Sequence, residues 1–197
     1  VELEQFGNVR SNGLRAIELN EADTLIGVAI TDGEQQIMLF SNEGKAIRFA
    51  ETDVRSMGRS AKGVRGMRVT IGAVQTEEAD DVDSDDEDLD TTFISRIVSL
   101  VVVPETGEVL CASANGYGKR TPVDDFPTKK RGGKGVIALK TSERNGELVG
   151  AVAIDASKEL MLISDGGTLV RTRASEVAQT GRNAQGVRLI RLGENET

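Results

Sequence analysis

Short apolar runs recur along this chain, and Gly, Asn and Asp mark the gaps between them. Residues 25–30, 36–41, 45–49 and 63–69 form one set of such runs. A second set covers 97–103, 109–113, 119–121 and 135–140, and a third covers 148–154, 160–164, 168–172 and 186–192. Val, Ile and Leu dominate them, so the pattern predicts strands joined by tight turns that tolerate positive φ. Helix is scarce, with residues 51–56 the one place for a turn of it.

The three sets superpose. Ser41 to Arg48, Ser113 to Arg120 and Ser164 to Arg171 each carry Ser first, Gly fourth and Arg eighth. Fifteen residues beyond each Arg stands another glycine, at Gly63, Gly135 and Gly186, and Gly13 fits the same place in a partial copy. A polar, basic connector precedes each of those glycines and starts from an apolar anchor: Val54, Phe126 or Val177. A unit of this size cannot bury its own apolar face, so the repeats must stack or ring an axis. Four strands per unit predicts an all-β, propeller-like fold. The expected divisions are the end of a partial blade at 1–18, blades at 19–69, 93–140 and 141–197, and an insertion at 70–92. Because the first unit supplies only an anchor, a connector and a last strand, the chain is expected to start inside a larger ring.

The formal net charge of −8 hides two populations. Ten acids fall within residues 77–90, with no base among them. Outside that run 22 acids face 24 bases, so the repeat body is mildly basic. With almost no apolar content the acidic run is expected to be a mobile loop. It either competes with phosphate for nearby cations or merely adds solubility.

Several chemistries are excluded. There is no histidine, which removes Ser-His-Asp and Cys-His catalysis and most zinc sites. The single cysteine, Cys111, lies in an apolar run and reads as a buried thiol of a reducing compartment. The acidic run lacks the glycine of an EF-hand loop, and Arg131 to Gly135 lacks the first glycine and the final Ser or Thr of a phosphate loop. Tyr117 sits in a hairpin turn with no basic constellation built around it in sequence, and reads as a turn residue rather than a nucleophile. No catalytic centre, metal site or cofactor is expected, and no apolar run is long enough to span a membrane.

The basic residues recur with the repeat. Arg48, Arg120 and Arg171 share one place, and Arg15, Arg65 and Arg188 another, with Ile137 as the exception. The connectors add Arg55, Arg59 and Lys62, then Lys129, Lys130, Arg131 and Lys134, then Arg182. Equivalent residues on equivalent blades would form a curved basic stripe suited to a bent duplex backbone. For Arg48, Arg120 and Arg171 two roles stand open: structural pairing within the blade, or contact with DNA.

At these residues the chain resembles the C-terminal domain of bacterial DNA gyrase A. The resemblance rests on Thr24-Leu25-Ile26-Gly27-Val28, Gly63-Val64-Arg65-Gly66, Asn115-Gly116-Tyr117-Gly118-Lys119-Arg120-Thr121 and Gly167-Thr168-Leu169-Val170-Arg171-Thr172-Arg173, among other stretches. It implies a six-bladed β-pinwheel, of which this chain covers the later half, about three four-stranded blades. It also implies a non-catalytic domain that wraps double-stranded DNA on a basic rim and supports ATP-dependent negative supercoiling. The implied partners are the remainder of gyrase A and its companion gyrase B, in the bacterial cytoplasm at the nucleoid. The expected DNA contacts are Lys45, Arg48, Arg55, Arg59, Lys62, Arg65, Lys119, Arg120, Lys129, Lys130, Arg131, Lys134, Arg171, Arg173 and Arg182. Lys129 to Gly135 matches five of the seven places of the family's Q-R-R-G-G-K-G box, with Lys130 standing for an Arg at a sixth, but in the fifth-blade position. The related domain of topoisomerase IV and a propeller-like protein-interaction scaffold are the competing readings.

Overall fold

A computed structural model describes residues 1–9, 11–73, 92–193 and 196–197. The acidic run at 77–90 lies outside the described residues, as do Arg10 and most of the insertion around that run. Twelve strands form among the described residues: β1 (Gln36–Ser41), β2 (Lys45–Ala50), β3 (Ile71–Ala73), β4 (Thr92–Ile94), β5 (Ile97–Val103), β6 (Glu108–Ser113), β7 (Tyr117–Pro122), β8 (Val136–Ile137), β9 (Leu148–Ile154), β10 (Glu159–Ile163), β11 (Leu169–Arg173) and β12 (Val187–Arg188). Among the described residues helix is confined to single 3-10 turns at Leu3–Phe6, Glu51–Asp53, Val123–Asp125 and Ala174–Glu176. The last three follow β2, β7 and β11 at equivalent places, and none is long and apolar enough to cross a membrane. The fold is all-β, as the turn-punctuated pattern predicts.

Sheet membership does not follow the contiguous blocks of sequence. One four-stranded sheet has the order β5-β1-β2-β8, and the other β12-β7-β6-β9. Each is a hairpin of one repeat, completed on both sides by strands of the next. In the first, Gln36 pairs with Val103 and Phe40 with Ser99, and the register shifts at Ser41. In the second, Glu108 pairs with Ile154 and Ala112 with Gly150, and the register shifts at Ser113, the equivalent serine. The third hairpin, β10–β11, is two-stranded. A fourth pair, β3–β4, joins the two flanks of the insertion.

This exchange explains two corrections. The apolar pattern predicts strands at residues 25–30 and 63–69, and neither segment is one. Their equivalents β5 and β9, and β8 and β12, are held by the hairpin of the preceding repeat. No described hairpin precedes residues 25–30, and a β-run without a ladder partner has nothing to satisfy its backbone. Val28 is accordingly 87% exposed and Ile30 77%.

The main core lies between the two four-stranded sheets. It joins Met38, Phe40 and Ala46 of the first to Val109 and Cys111 of the second, with Val101 and Val103 on β5, Leu148 on β9, and Phe126, Ala138 and Leu139. Phe40 and Phe126 meet edge to face at 6.4 Å and 75°, a geometry worth about 0.5–1.5 kcal/mol beyond its buried area. β5 and β9 are further linked by the Ala151 amide, which donates to Ser99 Oγ at 2.9 Å. Ile37, Ile47, Phe49 and Met67 pack on the other side of the first sheet, and Leu110, Ile154, Ala174 and Val177 join the second sheet to the third hairpin.

The connector glycines mark the exchange. Gly13, Gly63, Gly135 and Gly186 all have φ between 75° and 86°. A Cβ at Gly135 would collide with the Ala46 carbonyl oxygen, and one at Gly186 would fall 2.5 Å from that of Gly118. At Gly13 and Gly63 it would meet nothing within 4 Å. Gly63→Ala therefore carries only the left-handed backbone strain, about 1–3 kcal/mol, whereas Gly135→Ala and Gly186→Ala add a backbone clash. Urea unfolding of the three variants is expected to rank Gly63→Ala as the mildest.

Candidate nucleic-acid interface

Arginine side chains tie successive repeats together at two recurring places. In the first, the arginine of the hairpin's second strand reaches the next repeat. Arg48 Nη1 donates to the carbonyls of Val123 (2.9 Å) and Phe126 (3.2 Å), while its Nε donates to Gln36 Oε1. Arg120 Nε donates to the Val177 carbonyl at 2.8 Å, Nη2 reaches the Ser175 carbonyl, and Nη1 pairs with Glu108. Phe126 and Val177 are the connector anchors, so the arginine fixes where each connector begins. Arg120 is 7% exposed and spends its donors inside the protein. Arg171, at the same place on the third hairpin, is ion-paired with Glu159.

In the second place, the connector arginine reaches backward. Arg59 Nη1 donates to the Arg15 carbonyl at 3.0 Å, Arg131 Nη1 to that of Arg65 at 2.9 Å, and Arg182 Nη1 to that of Ile137 at 3.1 Å. Each accepting residue stands two places after a connector glycine of the previous repeat. The three bonds are one bond repeated three times.

Lys119 is also internal. It is 0% exposed, and its Nζ donates to the carbonyls of Gly181 and Arg182, both at 2.6 Å. Burial pushes its pKa down to about 8. Its cross-strand neighbour Cys111 is buried as expected from sequence, and burial pushes that thiol up to about 12. Lys45 pairs with Glu43, Lys62 lies near Glu18, and Arg173 lies near Glu176.

A different set is left for a ligand. Arg55, Arg65, Lys129, Lys130 and Lys134 are exposed and form no ion pair among the described residues. The backbone gathers them. The Lys129 amide donates to the Arg48 carbonyl and the Gly132 amide to that of Gly66, and Arg131 Nε donates to the Asp53 carbonyl. Arg68 belongs to the same patch, since its amide donates to the Gly133 carbonyl at 2.8 Å. Sequence reasoning singled out Arg65 in the run at 63–69 but missed Arg68. The available signal was its place five residues after Gly63, where Lys140 and Arg191 stand after Gly135 and Gly186.

A second cluster surrounds Tyr117, which by sequence alone reads as a turn residue. Arg144 Cζ lies 4.7 Å from the ring centroid and Arg188 Cζ 5.3 Å, and Arg188 Nη2 donates to the phenol oxygen at 2.8 Å. Arg188 comes from β12, directly opposite Tyr117 in the ladder. Hydrogen bonds from Arg188 and Arg144 hold the phenol below its usual pKa. The basic constellation exists, assembled from a turn and a strand far apart in sequence.

The family model for the DNA gyrase C-terminal domain, described as a β-propeller, matches residues 1–32, 35–82, 107–155 and 158–197. The chain belongs to the DNA gyrase C-terminal domain family. It is 50% identical over 204 residues to the gyrase A of Haemophilus influenzae, and 47% identical over 194 residues to that of Escherichia coli. Those matches cover 100% and 98% of this chain but 23% and 20% of the relatives, so the chain spans about a fifth of their length. Among solved structures, a DNA gyrase A C-terminal domain superposes with a TM-score of 0.76 at 27% identity, over 94% of this chain and 56% of that one. A topoisomerase IV C-terminal domain gives 0.80 at 22% identity, over 98% and 54%, a likeness of fold alone. The exchanged sheets and arginine ties are how this member of the gyrase domain family joins its repeats.

Lys119 gives a pH signature. With its folded pKa near 8 and an unfolded value near 10.5, the unfolded chain binds more protons between those limits. Stability from this group therefore rises as pH climbs from about 8 to 10.5. The neutral amine keeps two N–H donors for the two carbonyls it serves. Chemical unfolding of the protein against Lys119→Met is expected to show the wild type gaining on the variant across that window.

Proposed function

We propose that this chain binds duplex DNA along the cationic surface of its connectors, as the later half of a gyrase-type C-terminal domain. The single observation that supports the reading is the patch of Arg55, Arg65, Arg68, Lys129, Lys130 and Lys134, exposed and paired with no acid among the described residues. Like charges gathered by a fixed backbone repel until an anion neutralises them. A polyanion does so with release of its counterions. The patch is rich in charge and free of aromatic side chains, which suits phosphates rather than bases, so recognition carries little sequence preference. Arg48, Arg120 and Lys119 serve within the protein and leave this surface to the connector cations.

We extend this reading to the wider role of a gyrase-type domain. Bending duplex along successive connectors biases strand passage by the whole ATP-dependent topoisomerase toward negative supercoiling. The partners are the rest of gyrase A and its companion gyrase B, and the catalytic residues lie outside this chain. The acidic run at 77–90 then competes with phosphate for the same cations. Its flanks are joined by β3–β4, and Arg68 at their base bonds to Gly133 inside the Lys129 to Lys134 connector.

Two measurements test this reading. In duplex-binding titrations at several salt concentrations, the triple variant Lys129→Ala, Lys130→Ala, Lys134→Ala is expected to lower the slope of log affinity against log salt. Each lost phosphate contact removes about 0.9 from it, similarly for unrelated sequences. An unchanged slope, or an affinity insensitive to salt, contradicts DNA binding here and favours a protein-interaction scaffold. Deleting residues 76–90 is expected to raise duplex affinity most at low salt, where charge competition is least screened. Equal affinity across the salt range leaves the acidic run a solubility device.

A further inference from the structure

Tyr117, Arg144 and Arg188 form a donor cluster distinct from the connector patch. Arg188 and Arg144 lie against one phenol ring, 5.3 and 4.7 Å from its centroid. Both arginines are exposed, and neither pairs with an acid among the described residues. Beyond Tyr117, Arg144 meets the neutral Gln185 Oε1, at 3.4 Å. Arg188 spends one N–H on the phenol oxygen, which keeps its own proton to donate.

The cluster is held rigidly. Tyr117 is 8% exposed and lies in the ladder between β6 and β12. The loop bearing Arg144 is fixed by Asn145, itself 0% exposed. Its Nδ2 donates to the carbonyls of Lys140 and Gln185, and its Oδ1 accepts from the Ser142 amide and hydroxyl. Asn115 Nδ2 donates to the carbonyls of Glu143 and Arg144 from the other side. Four hydrogen bonds donated by two asparagines thus fix the backbone that carries one guanidinium, and a ladder fixes the other. Two cations and a hydroxyl, all donors and held at fixed places, match an oxyanion.

We propose that Tyr117, Arg144 and Arg188 form a phosphodiester-binding station for the duplex backbone beside the edge strand β12. This rests on the DNA-binding reading above and adds a contact point one repeat beyond the connector patch.

Tyr117 is the chain's only tyrosine and there is no tryptophan, so its phenolate absorbance reports on this place alone. It is read on the long-wavelength edge of the phenolate band, as a difference from duplex alone at the same pH. The protein is titrated with alkali alone, with saturating duplex at low salt, and with inorganic phosphate at matched phosphate concentration. Duplex binding is confirmed separately by anisotropy of a labelled strand. A phosphate against the guanidiniums opposes phenolate formation. The duplex is expected to raise the midpoint by about half to one pH unit, the effect of a unit charge some 4 Å away in a water-like medium. Inorganic phosphate is expected to leave it in place. Arg144→Ala and Arg188→Ala are each expected to reduce the salt slope by about 0.9, with circular dichroism confirming the fold.

A midpoint unmoved by bound duplex, with both slopes unchanged, overturns the station while the connector reading stands. An equal shift with inorganic phosphate overturns the assignment to the duplex backbone. Absence of duplex binding by the wild type fails the DNA reading itself.

Discussion

The exchange of strands between successive repeats is the constraint on which the rest of this structure depends. A two-stranded hairpin leaves both edges unpaired and is marginal on its own. Here the first two hairpins each gain a strand on either edge from the repeat that follows, β5 and β8 in one sheet, β9 and β12 in the other. A repeat is therefore never complete by itself. The core at the junction is shared, since Phe40 of one unit packs on Phe126 of the next. Stability in such an array comes largely from interfaces between neighbours.

The same constraint divides the arginines into working classes. Where a strand crosses from one repeat to the next, backbone carbonyls at the crossing need donors, and an exposed loop would otherwise drift. Arg48 and Arg120 meet the anchors of the next repeat, and Arg59, Arg131 and Arg182 meet the edge of the previous one. Guanidinium suits this because its planar fork can serve several carbonyls at once. The side chains left over, Arg55, Arg65, Lys129, Lys130 and Lys134, point their charge outward. Fixing the connectors from both ends is what sets the spacing of that outward charge.

Much of the fold is legible in the sequence. The aligned Ser, Gly and Arg places predict the hairpins, β5 and β9 fall on the expected residues, and the four connector glycines share a left-handed backbone. What the sequence does not carry is the partner of each strand. Residues 25–30 are as apolar as Leu148–Ile154, and local pattern cannot tell a strand with a hairpin beside it from one without. The candidate site is legible as charge but not as geometry. Arg120 and Lys129 look alike as repeated cations, yet one is buried among carbonyls and the other faces solvent. Arg144 carries no repeat signal at all. It reaches Tyr117 only because Asn145 and Asn115 fold its loop onto the hairpin.

Hydrogen exchange tests the strand exchange most directly. The amides of Ile97–Val103 and Leu148–Ile154 are expected to exchange slowly, together with the hairpins β1–β2 and β6–β7 that receive them. Residues 25–30, equivalent in sequence, are expected to exchange at the rate of unpaired chain. Protection of residues 25–30 equal to that of Leu148–Ile154, or rapid exchange throughout β5 and β9, would contradict a fold in which each hairpin is completed by the repeat that follows it.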